Sequence, residues 1–127
     1  MFAGLVFLSL SVASVALTPE SIQPNQHNDG AVIRVYGADV WGIRGRFAIH
    51  TWIATKAADD DMFTLHEIIG WKLRRQQTAL TVTRGRPDRP WFRSPAILLH
   101  EVTGDEAETL ISEVHEAIYS YPYAKSY

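Results

Sequence analysis

Two residues in this chain are of the types that proton-transfer chemistry needs and sit where a sheet could bring them together. They are His50, in the run Phe47 to Lys56, and Glu67, in the run Met62 to Trp71 (MFTLHEIIGW). Histidine moves a proton near neutral pH, and a neighbouring carboxylate fixes its tautomer and supports the imidazolium, as in triad chemistry. Glu67 shares its alternating face with Phe63, Leu65, Ile69 and Trp71. An unpaired carboxylate buried there would cost several kcal/mol, so it needs either water or a partner. The alternative for the two residues is a hydrogen-bonded structural histidine and an edge glutamate facing solvent. The chain has no cysteine, which excludes a thiol nucleophile, a thiolate metal site and a disulfide. Acyl chemistry would have to use oxygen or a residue outside the chain.

The elements that must position these residues read as short strands followed by one helix. Phe47 to Lys56 is rich in β-branched and aromatic residues, which marks a strand. Alternation puts Phe47, Ile49, Thr51, Ile53 and Thr55 on one face, the better core candidate, and His50 with Trp52 on the other. Further strands are expected over Ala31 to Tyr36, Met62 to Trp71, Ala79 to Thr83 and Ile97 to Val102. Gly37 to Gly45 is expected as a long turn, and Asp59 to Asp61 as a solvated hairpin tip. Asp105 to Tyr121 carries apolar residues at helical intervals up to Pro122, with Thr103 and Glu106 at capping-box spacing. The expected fold class is α+β: a mainly antiparallel sheet of about five strands covered by one C-terminal amphipathic helix.

At 127 residues and 46% hydrophobic the chain supports one domain. Phe2 to Leu17 carries no charge and resembles a secretory apolar segment, slightly short of the roughly 20 residues that span a bilayer. Residues 1–17 are therefore expected to be a signal peptide or membrane anchor, although no Lys or Arg lies between Met1 and the apolar run. Residues 18–30, with two prolines and Asn-Asp-Gly at the end, read as a linker, and 31–127 as the folded domain. A net charge of −2 gives no pull toward nucleic acid. Lys72 to Arg93 is nevertheless locally basic, and Arg84, Arg86 and Arg89 are its candidate anion-binding residues. An exported or membrane-anchored protein of the cell envelope or periplasm would meet anionic lipid or envelope polymer there. Trp52, Trp41 and Trp71 are the candidate substrate-binding aromatics. No cofactor and no metal site is expected, and the oligomeric state is not readable.

The segments RVYGADVWGIRGRFAIHTWIATK, LHEIIGW, PDRPWF and ISEVHEAIYSYPYAKSY, spanning Ala31 to Tyr127, resemble a bacterial exported family of unknown function, domain of unknown function 3750. In that family the Tyr-Pro-Tyr segment is typically followed by a Trp-Pro-Gly-Pro-Asn-Ser-Asn-Thr-Phe stretch, so the chain is expected to be C-terminally incomplete. A histidine strand followed by an Asn-Ser turn is similar in order to permuted papain-like hydrolases and acyltransferases. That similarity implies His50 as base, Glu67 as its orienter, and a nucleophile missing from this chain, which alone would then show no turnover. The other function class in view is a non-catalytic envelope module. It would hold anionic lipid or glycan on a surface of Trp41, Trp52, Trp71 and Trp91 with the arginine-rich loop.

Overall fold

The computed structural model of the chain describes residues 30–40, 48–76 and 78–125. The expected leader, most of the expected linker, and Trp41 lie outside them. Among the described residues five strands form a single antiparallel sheet: β1 Val32–Asp39, β2 Ile49–Lys56, β3 Phe63–Ile68, β4 Leu80–Gly85 and β5 Ile97–Thr103. The order across the sheet is β4-β3-β2-β1-β5. Between β3 and β4 a 3₁₀ turn, Gly70–Lys72, runs into the short helix α1, Leu73–Gln76; helix α2, Gly104–Tyr119, follows β5. The fold is α+β, as the alternation of β-branched residues and the single amphipathic stretch predict.

Helix α2 lies over β1 and β5. There Leu110, Ile111 and Val114 pack with Ile33, Ile53 and Val102 around the fully buried Ala107. The opposite face carries the larger core: Tyr36, Trp52, Leu65, Trp91 and Leu98, with Ala38 and Ala54 between them. Tyr36 and Trp52, directly paired across β1 and β2, stack with centroids 5.6 Å apart. This reverses the expected sides of β2. Trp52 and Ala54 are completely buried, whereas Ile49 is 58% exposed. The cause is the cover: the proline-punctuated segment 86–96 folds down on the His50 and Trp52 face, while α2 reaches only part of the other.

Three local expectations are also corrected. Gly37 belongs to β1 rather than to a turn, paired with Thr51 and Ile97; the position takes glycine because a Cβ there would sit 2.9 Å from Ile49 Cγ2 and 3.0 Å from Leu99 Cδ1. The third strand stops at Ile68, so Trp71 falls in the 3₁₀ turn, off the face that holds Glu67, and is 56% exposed. Thr103 is the N-cap of α2 but makes no side-chain capping bond. The chain instead enters the helix through Gly104 at φ 73°, a conformation that glycine adopts without a Cβ penalty, and the Gly104 amide donates to the Ala31 carbonyl. At the other end, the Ser120 hydroxyl donates to the Glu116 carbonyl, and Pro122 cannot continue the helix.

Candidate functional site

Antiparallel pairing places Trp52 opposite Glu67 and Ala38 opposite His50. His50, two residues before Trp52, is therefore the diagonal neighbour of Glu67 on the same face, within reach of a long side chain. His50 Nε2 and Glu67 Oε2 are 2.8 Å apart. The Glu67 side chain is only 2% exposed, and its second oxygen accepts a hydrogen bond from the Arg89 guanidinium. An ionised carboxylate only accepts hydrogen bonds, so the neutral imidazole carries its proton on Nε2 and keeps a lone pair on Nδ1. Among the described residues Glu67 is the only side chain that hydrogen-bonds His50.

The remainder of the site comes from the 86–96 segment. The Trp91 ring stacks on the imidazole at 3.6 Å between centroids. The Arg89 guanidinium lies 5.6 Å from the centre of Trp52 and 5.8 Å from that of Trp91. The segment is fastened at both ends: the Trp52 indole donates to the Pro87 carbonyl at 2.8 Å, and the Ser94 hydroxyl donates to the Asp39 carbonyl at 2.8 Å. Trp91 and Ser94 exchange both backbone hydrogen bonds across a two-residue turn. Phe92 and Arg93 take φ of 43° and 76° in that turn. Such turns favour Asn-Gly, and a residue with a Cβ held there costs about 1–3 kcal/mol. The chain keeps that strain beside the histidine.

The sequence-derived site residues separate into distinct places. His50 and Glu67 meet. Trp52, a candidate substrate-binding residue, is 1% exposed and is instead the floor of the core; Trp91 is buried as well, so the four tryptophans do not form one binding surface. Trp71 is exposed, 5.7 Å from Trp91 and 5.8 Å from Phe92. The three candidate anion-binding arginines are each engaged with a different carboxylate. Arg84 pairs with Asp60 at 2.5 Å, which holds the Asp60 carboxyl below its usual range, and Arg86 pairs with Asp88 at 3.2 Å. Arg89 turns inward to Glu67 and is part of the site rather than a peripheral charge. Sequence reasoning missed the roles of both Arg89 and Trp91. The available signal was the pairing debt of Glu67 beside a run of cations containing one acid.

A hollow of about 380 Å³ opens beside the cluster, lined by Glu67, Arg89, Trp91, Trp71 and Phe92 among others. The imidazole itself lies largely under Trp91, with its side chain 12% exposed, so an approaching group reaches its edge rather than its face. On the helix side of the sheet, His66 is 6% exposed and its Nε2 lies 3.0 Å from the Thr55 hydroxyl. Its Nδ1 is buried without a partner among the described residues. Burial, and secondarily His115 with ring centroids 5.7 Å away, lowers the pKa of His66.

Residues 30–127 match the sequence profile of a family described as protein of unknown function, DUF3750. No curated protein and no solved structure matches the chain significantly.

Proposed function

The chain belongs to the DUF3750 family of proteins of unknown function, and we propose that His50 and Glu67 are the acid–base element of a cell-envelope hydrolase or acyltransferase acting on an amide or ester bond. The observation that carries this proposal is the 2.8 Å contact between His50 Nε2 and a buried Glu67 oxygen. It holds the ring in the tautomer whose Nδ1 can accept a proton. As a nucleophilic oxygen or sulfur bonds to the acyl carbon, its proton passes to Nδ1. The resulting imidazolium, supported by Glu67, returns that proton to the leaving amine or alkoxide when the acyl bond breaks. Arg89 keeps the second carboxylate oxygen occupied, so Glu67 cannot swing away from the ring.

Among the described residues no serine or threonine hydroxyl hydrogen-bonds His50, so this reading draws its nucleophile from outside them. Ser94 is not a candidate, because it is 1% exposed and its hydroxyl is committed to the Asp39 carbonyl. The uncharged stretch Phe2 to Leu17 supports placement at the envelope. The competing proposal, a non-catalytic module with a tryptophan-rich binding surface, is weakened by the burial of Trp52 and Trp91.

The test is turnover of activated esters and amides by a family member that carries the same histidine–glutamate pair. His50→Ala should lower kcat by about 10²- to 10⁴-fold with little change in Tm. Retained turnover together with a large loss of stability would assign His50 a purely structural role.

A further inference from the structure

We infer that Trp71 and Phe92, with the cations around them, form a ledge that docks the protein on an anionic lipid surface. Both side chains are large, apolar and exposed, at 56% and 68%, and their rings are 5.8 Å apart. Trp71 shares a hollow of about 450 Å³ with Lys72, Arg74 and Arg75, and Arg93 follows Phe92 in the strained turn. Among the described residues none of these four cations forms a salt bridge, in contrast to Arg84, Arg86 and Arg89, all of which do. The positive charge available to a partner is therefore not that of Arg84, Arg86 and Arg89. It surrounds the exposed aromatics.

Tryptophan and phenylalanine beside lysine and arginine is the pattern of a protein surface seated at the headgroup level, where rings enter the acyl boundary and cations meet lipid phosphates. A lipid surface fits better than a nucleic acid, because Phe92 projects from a hairpin tip rather than from the floor of a groove that tracks a backbone. The ledge is also continuous with the hollow that reaches Glu67 and Arg89, so docking would turn the rim of the acid–imidazole site toward the bilayer. The ledge uses neither His50 nor Glu67 and would stand if the acid–base proposal failed.

The test uses the full chain with vesicles of phosphatidylcholine, alone or mixed with phosphatidylglycerol, whose acyl chains are brominated to quench tryptophans that enter the interface. The signal is the part of the quenching that Trp71→Phe abolishes. It should appear with mixed vesicles, be much smaller with phosphatidylcholine alone, and fall as salt rises. The double variant Arg74→Gln/Arg75→Gln should need about thirtyfold more lipid for half-maximal signal, since each interfacial cation contributes about a fivefold factor. Arg84→Gln/Arg86→Gln, whose arginines are paired, should behave as the parent. Four results would overturn the inference: quenching insensitive to Trp71→Phe, equal signal with phosphatidylcholine alone, equal losses in the two arginine variants, or displacement from vesicles by a single-stranded oligonucleotide with the same variant dependence.

Discussion

Glu67 sets the charge balance of the site, because its carboxylate is buried on a strand and is answered from two directions, by His50 within the sheet and by Arg89 from the covering segment. Losing one partner of a buried ion pair costs about 3–5 kcal/mol, because the other charge is left desolvated. The Arg89 side chain is one-third exposed, so water offsets part of that loss. Arg89→Gln should therefore destabilise the fold by about 2–3 kcal/mol, below the fully buried case. Arg84→Gln and Arg86→Gln, whose pairs lie in solvent, should each cost far less than Arg89→Gln. Urea denaturation of the three variants checks this directly. An Arg89→Gln cost no larger than that of Arg84→Gln would mean that Glu67 is held by His50 alone. Adding Glu67→Gln to Arg89→Gln should cost less than the sum of the single changes, since the stranded charge is removed.

At the scale of elements, the segment between β4 and β5 matters as much as the strands. It supplies Arg89 and Trp91, and it does so through a turn whose two central residues, Phe92 and Arg93, have positive φ. Glycine adopts that backbone without steric cost. Arg93→Gly should raise stability by about 0.5–1 kcal/mol, measured as an upward shift in Tm, with the Trp91–Ser94 pairing intact. A drop in Tm would show that the arginine side chain holds the turn through contacts that outweigh its backbone strain. The strands, their mainly antiparallel character and α2 were legible from alternation and helical spacing; their order across the sheet was not. Which face of β2 is the core was not, because Pro87, Pro90 and the arginines make the covering segment look like a solvated loop. The meeting of His50 and Glu67 was legible as an option on consecutive strands. Its register, Trp52 opposite Glu67, depends on a hairpin loop whose geometry no local pattern specifies. Arg89 was read as a surface charge because nothing local distinguishes a cation that turns inward from its paired neighbours Arg84 and Arg86.

For the whole molecule, the junction between sheet and helix predicts how stability changes with acidity. His66 sits on the helix side of β3, buried, with its Nε2 at Thr55 and its Nδ1 unpartnered among the described residues. Burial, aided by the nearby His115 of α2, lowers its pKa below the ordinary value of 6.5. The unfolded chain therefore takes up a proton at His66 before the folded chain does. The contribution of this residue to stability is complete above about pH 6.5 and is lost as pH falls through 6.5 toward the lower folded value. Denaturant midpoints should accordingly decrease from about pH 7.5 to about pH 5.5. His66→Leu removes the titrating group and the unpartnered nitrogen together, and should flatten that part of the profile. It would leave the Thr55 hydroxyl without its histidine partner, so its stability at neutral pH is not the quantity to compare; the slope of stability against pH is. An unchanged slope in His66→Leu would transfer the acid sensitivity to other groups and remove His66 as its source.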